Sequence, residues 1–325
     1  MLASKSLSFD PGRAVLQDYL EGHPARLMVS DFQPMAEALA NGVVAPDTRL
    51  LAFELDGQLY ATPMSIVLAY NVIQGQHQQQ PWMMTFCNAC NTGMVFNPIC
   101  DGQLLHFQRR GSYDGLLLIW DAETQSYWQH ITGECLYGVS VGKQLATLTV
   151  TRQMTAAEAN GMTHLNPLLL TSQLTPEQAQ LSRLMEKMRD NPTRQEAGIV
   201  ATIAREDTRR PRFELGLGVL TTEHSLFIPL EVLYAHNSAL TTEFEGRPLL
   251  VYQLPDAIAP VAAYAKSRRA ELERDVLRLD SGVYIQNDLY YTADGRSQVL
   301  MRPTQLLMRW YGFALTFPGC DILTS

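Results

Sequence analysis

The sequence predicts a β-rich α+β chain made of two degenerate tandem copies of one domain joined by a helical linker. Three observations lead there. Short apolar runs separated by Gly, Asn, Asp and Pro fill residues 49–170. YATPMSIVLAYN in that stretch is answered by LFIPLEVLYAHN after residue 215. Between them, Thr175-Pro176-Glu177-Gln178 opens a helical pattern.

The elements follow in chain order. Residues 1–48 read as a helical amino-terminal arm, with Asp31 as an N-cap before Pro34-Met35-Ala36-Glu37-Ala38-Leu39 and Gly42 near the helix end. The first copy spans 49–170. In LLAFELDGQLYATP, two apolar runs flank Asp56-Gly57, a dipeptide that supplies positive φ to a hairpin turn. Pro63 then starts a short helix, Met64 to Tyr70. WMMTF and GMVF are strands on either side of TFCNACNTG, and Leu116 to Trp120 and Gln144 to Val150 add two more.

The linker spans 171–214. Its helix carries proline at the first helical position and Leu181, Leu184, Met185 and Met188 at helical spacing. The second copy, 215–325, repeats Pro63, Ala69 and Asn71 as Pro229, Ala235 and Asn237 at one offset, and it lacks a cysteine pair. Any chemistry therefore belongs to the first copy.

Composition narrows the function. The chain has 325 residues, enough for about two domains at roughly 150 each. A formal charge of −8 argues against general affinity for nucleic acid or anionic membrane, which clustered Lys and Arg would provide. The basic cluster Arg205 to Arg212 is interrupted by Glu206, Asp207 and Pro211 and reads as solvated linker. No apolar run has the length of a secretory signal or a membrane span, so the expected location is the cytoplasm.

In a reducing compartment, five cysteines at wide spacing do not form a disulfide framework. Cys87-Asn88-Ala89-Cys90, set in a turn between two strands, thus calls for a chemical reading. As a dithiol, Cys87 attacks and Cys90 resolves, against a small-molecule oxidant or a protein thiol partner and with no cofactor. This is the chemistry of a thiol-disulfide oxidoreductase or a thiol peroxidase-like enzyme. As a metal knuckle, the same pair supplies two thiolates to zinc or copper, with Cys100, Cys135, His106 and His130 as candidates for the rest and Met83, Met84 or Met94 as soft ligands. As packing, the pair belongs to a non-catalytic binding module, and Cys100, Cys135 and Cys320 read as small buried hydrophobes. Gly138-Val139-Ser140-Val141-Gly142 matches a nucleophile elbow in form, but a strand follows where the elbow needs a helix.

TFCNACNTGMVFNP, then DGQLLHF, then IWDAETQSYWQHITGE, in that order, resemble the domain of unknown function 3179 family. Arg309-Trp310-Tyr311-Gly312-Phe313 and Phe317-Pro318-Gly319-Cys320 resemble that family's closing segment. Some members of the family are similar to selenoproteins in carrying selenocysteine within this pair, which implies redox chemistry. Carried over by residue, the resemblance marks Cys87, Cys90, Thr92 and Gly93, then Tyr113 and Asp114, then Trp128, Gln129, Thr132, Gly133 and Glu134. Glu134 is the expected proton relay beside the thiols. Where the family pattern has His-Glu, this chain has Tyr70-Asn71 and, in the second copy, His236-Asn237. A histidine that activates Cys87 would on this reading be His236.

Overall fold

The computed structural model describes residues 9–16, 26–192, 202–265, 267 and 269–324. It is β-rich, with short helices set between hairpins.

The Asp56-Gly57 turn forms as its residue types require, with φ of 50° and 76°. It joins Arg49–Leu55 to Gln58–Pro63 in antiparallel register, Leu55 opposite Gln58 and Phe53 opposite Tyr60. Pro63 leads directly into helix Met64–Tyr70, buried on nearly every side, which ends where Asn71 turns left-handed at φ 61°. Strands Val72–His77 and Gln80–Thr85 follow, and Met94–Phe96 pairs with the latter, Met83 opposite Phe96. Five-stranded sheets are built around each of these hairpins, and a third runs through Phe107–Tyr113 and Leu116–Asp121.

After residue 214 the same order recurs: strands Leu215–Leu220 and Ser225–Pro229, helix Leu230–Ala235, strands Ala239–Phe244 and Arg247–Tyr252. Thr304–Arg309 adds to the first of these strands and runs into helix Trp310–Thr316.

The core that positions the site is shared between the two ends of the chain. Val72, Phe96, Phe107 and Trp128 pack in one cluster with Leu220, Phe227, Trp310 and Phe313, and Cys87 and Cys90 lie inside it.

Two expected details differ. Within 1–48, residues 1–8 and 17–25 lie outside the described residues. The remainder holds a single α-helix, Met35–Ala40, beside strands Ala14–Leu16, Leu27–Met28 and Phe32–Pro34. Each of those strands pairs with a sheet of residues 49–170. Asp31 does not cap Met35–Ala40, whose N-cap is Pro34, because the intervening residues Phe32–Pro34 are extended in the sheet.

The helix expected after Thr175 is Pro176–Asp190, with both halves of the Thr175/Gln178 capping box in place, while residues 193–201 lie outside the described residues. Its buried face is Gln178, Ser182 and Arg189, and Leu184 is 52% exposed. The helix is rotated from its apolar spacing because it covers polar groups: Gln178 donates to the Tyr70 hydroxyl at 3.2 Å, and the Met185 carbonyl accepts from Asn88 Nδ2 at 2.9 Å.

Candidate functional site

Strand Gln80–Thr85 delivers the chain to Cys87, and the loop closes on itself. Cys87 N–H donates to the Thr92 carbonyl at 2.8 Å, and Asn91 N–H donates to the Cys87 carbonyl at 2.9 Å with Asn91 at φ 63°. Gly93 follows because nothing larger fits: a Cβ there would lie 2.0 Å from the Thr85 carbonyl oxygen.

This turn aims the Cys90 N–H at the Cys87 sulfur, at 3.2 Å. His130 completes the group, its Nε2 3.6 Å from Cys90 Sγ. The two sulfurs and the imidazole nitrogen all lie within 4.8 Å of one another. Both cysteines are free thiols. All three residues are sealed from solvent, at 3%, 0% and 0% exposure for Cys87, Cys90 and His130.

The environment makes the two thiols unequal. Burial alone would raise Cys87, but hydrogen bonds from Cys90 and His130 and the electrostatic pull of His130 outweigh it and hold Cys87 well below the ordinary thiol value. Burial pushes Cys90 well above that value, and the adjacent Cys87 adds to the rise. One sulfur is thus set up as a thiolate and the other as its proton-bearing partner.

His130 is held by the turn that follows strand Tyr127–Gln129. Gln129 Oε1 accepts from the backbone N–H groups of Ile131 and Thr132 at 2.5 and 2.7 Å. Gly133 takes φ 72° and donates to the Gln129 carbonyl at 2.9 Å, and Thr85 Oγ1 donates to the His130 carbonyl at 3.3 Å. The resemblance marked Gln129, Thr132 and Gly133, and together they build the mount for His130.

The far end of the chain clamps the cysteine loop. Arg309 donates through Nη1 to the Ala89 carbonyl at 2.5 Å and through its backbone N–H to the Cys90 carbonyl at 2.9 Å. Its Nη2 donates to the carbonyl of Arg189, so the guanidinium ties the loop to helix Pro176–Asp190 as well. Burial lowers the Arg309 pKa, offset in part by Tyr311 and the two cysteines.

The other expected residues fall as follows. Thr92 is buried, and its carbonyl accepts from the Cys87 N–H to close the loop. Trp128 is core, its Nε1 donating to Asp121 Oδ2 at 2.8 Å. Tyr113 and Asp114 secure the amino-terminal segment: the Tyr113 hydroxyl accepts from Asp10 N–H at 3.1 Å, and Asp114 pairs with Arg13. Glu134 is half-buried, in an isolated bridge to Gln144, and is not a member of the Cys–Cys–His cluster.

His236 is not a member either. Its Nδ1 hydrogen-bonds to the carbonyl of Val232 at 2.8 Å, one turn back in its own helix. The imidazole beside the thiols comes from the first half, as His130. Asn71, the second residue of that Tyr70-Asn71 pair, joins Phe86 and Arg109 through hydrogen bonds of 3.0 Å each.

Of the other candidate ligands, His106 pairs with Glu123 at 2.6 Å, and Cys135 donates to the Tyr137 carbonyl at 3.4 Å. Ser140 is buried and is followed by strand Thr147–Val150 rather than a helix. Asn88 and Arg309 lie inside segments that carry the family resemblance and Arg189 outside them, but no local spacing assigns any of the three to the site. Their role comes only from long-range contacts, such as the 2.9 Å bond between Asn88 and Met185.

The family model described as "Protein of unknown function (DUF3179)" matches residues 26–313. No curated protein and no solved structure matches the chain.

Proposed function

The chain belongs to the DUF3179 family, and we propose that it is a thiol-based redox protein whose Cys87 and Cys90 cycle between dithiol and disulfide. The geometry of the pair carries this reading: the Cys87 sulfur accepts from the Cys90 N–H at 3.2 Å, His130 Nε2 lies 3.6 Å from the Cys90 sulfur, and the two thiols are shifted in opposite directions, Cys87 down and Cys90 up. A nucleophile and a resolving thiol need opposite pKa shifts of this kind.

The steps balance without a cofactor. The Cys87 thiolate attacks one sulfur of a disulfide, forming a mixed disulfide and expelling a thiolate, to which His130 can pass a proton. Cys90 then loses its proton and attacks the Cys87 sulfur. That closes the Cys87–Cys90 bond and releases the second thiol, so the protein is oxidised by two electrons and the disulfide reduced by two. His130 takes the relay role expected of Glu134, because among the described residues it is the imidazole or carboxylate that clusters with the two sulfurs. We further read the halves as tandem copies of one unit, on their shared strand–strand–helix–strand–strand order, with the second copy lending Arg309 to the site of the first.

A second reading, zinc or copper binding, rests on the same cluster, since two thiolates and an imidazole within 4.8 Å can surround one soft cation. The fit is partial. Cys87, Cys90 and His130 would hold the metal and leave a fourth position to be filled. His130 Nδ1, which in a metal-bound histidine ordinarily donates to an outer partner, is buried without one among the described residues.

Element analysis of protein purified without chelator separates the two. The redox reading expects metal well below one equivalent and a Cys87–Cys90 disulfide on mild oxidation; stoichiometric metal lost in Cys87→Ser would overturn it.

A further inference from the structure

Helix Pro176–Asp190 meets the cysteine loop and its Arg309 clamp through polar groups, the carbonyls of Met185 and Arg189. Asn88, between the cysteines, donates through Nδ2 to Met185, which leaves its Oδ1 buried without a partner among the described residues. Arg189, on the same helix, is 4% exposed. Its Nη2 reaches exposed carboxylates, Asp190 at 3.3 Å and Glu186 at 3.7 Å. Its Nη1 is buried and has no partner among the described residues.

Arg309 adds a second cation close by, hydrogen-bonded to the Arg189 carbonyl. Its side-chain partners are carbonyls, those of Ala89, Asn88 and Arg189, so no carboxylate among the described residues neutralises it there. A buried donor without an acceptor is costly, and two guanidinium groups at this loop favour an anionic acceptor. Beside a nucleophilic sulfur, such an arrangement suits an acidic ligand.

Resting on the redox reading above, we propose that the oxidant of Cys87 is a small carboxylate-bearing disulfide of the amino-acid or short-peptide type. Its carboxylate is received by Arg189 Nη1 with Arg309 behind it, and a neighbouring N–H is received by Asn88 Oδ1. The Cys87 thiolate attacks the near sulfur, the S–S bond of the ligand breaks, and the departing thiolate takes a proton. Cys90 then displaces the second thiol and closes the protein disulfide, so one disulfide is reduced to two thiols as two protein thiols are oxidised. Entry requires displacement of Pro176–Asp190. The hydrogen bonds of the Met185 and Arg189 carbonyls to Asn88 and Arg309 can be exchanged for water or for the ligand.

The test uses the full reduced chain and two probes, oxidised glutathione and the neutral bis(2-hydroxyethyl) disulfide. The rate of Cys87–Cys90 disulfide formation with each is divided by that of dithiothreitol with the same probe. The normalised preference for oxidised glutathione should be roughly tenfold or more in the native protein, the worth of one charge-assisted contact. It should fall to about one in Arg189→Gln and be partly restored in Arg189→Lys, which keeps the charge but not the planar fork. The preference is a ratio within one preparation, so a loss of folded protein scales both rates and leaves it unaltered. Equal normalised rates in the native protein, or an unaltered preference in Arg189→Gln, would overturn the proposal while the redox reading stands. Failure of both probes to oxidise the pair would overturn the two together.

Discussion

Replacing His130 by Gln removes the imidazole from the cysteine pair while keeping a side chain of similar reach. In the native protein the three ligand-type atoms lie within 4.8 Å. At that separation and an effective dielectric near 20, an imidazolium and a thiolate attract by about 3 kcal/mol. If only half of that survives as a difference between the two protonation states, the Cys87 thiolate fraction below its titration changes about tenfold. The sign follows from the depressed Cys87 pKa. Native thiolate persists to pH well below the ordinary thiol value and is lost as pH falls through the lowered one. In His130→Gln the loss begins at higher pH. The assay is the rate of iodoacetamide modification of Cys87 against pH, localised by peptide mass, in chelator-treated and reduced protein. At iodoacetamide concentrations where the rate rises linearly with reagent, opening is a fast pre-equilibrium that scales the whole profile, so its midpoint rather than its height reports the thiolate. Superimposable profiles would refute the role given to His130.

Gly93→Ala should lower stability by about 3 kcal/mol or more, because the added methyl meets the Thr85 carbonyl at 2.0 Å, and calorimetric unfolding measures it. Cys135, pushed up to about 11 by burial, should stay unmodified in folded protein at neutral pH while Cys87 reacts, and the order of alkylation by mass spectrometry checks this. Asp288→Asn should cost about 3 kcal/mol, since it takes one carboxylate from between Arg152 and Arg302. Burial would raise the Asp288 pKa, but the two guanidinium charges outweigh it and hold the carboxyl below its usual range. Its contribution is therefore complete above the ordinary value of 3.8 and lost as pH falls below it, so the acid limb of stability against pH should be shallower in the variant. Arg309→Met should loosen the cysteine loop by removing its bonds to the Asn88, Ala89 and Arg189 carbonyls, seen as faster amide exchange at Cys90 and Asn91.

Local chemistry made much of this readable in the sequence. Asp56-Gly57 fixed a hairpin, Pro63 a helix start and Thr175 with Gln178 a capping box, because each acts through neighbours a few residues away. The cysteine turn was legible for the same reason: the i and i+3 sulfurs and Gly93 specify one another. What escaped was non-local. His130 stood out in the sequence only as one of several metal-ligand candidates, since its nearness to Cys90 arises from folding 40 residues apart. Arg309 lies 220 residues from the carbonyl it clamps, and no spacing rule connects them. On Pro176–Asp190 the apolar spacing took in Met185, which meets Asn88, but also the exposed Leu184, and it passed over Gln178, which the Tyr70 hydroxyl beneath selects.

Equilibration of the full chain in glutathione buffers of graded potential, read by intact mass, tests the central claim most directly. The account expects a reversible loss of two hydrogens with one midpoint inside the range those buffers span, absent in Cys87→Ser and Cys90→Ser. A pair that stays reduced at every potential, in protein carrying one equivalent of metal that Cys87→Ser releases, would contradict it.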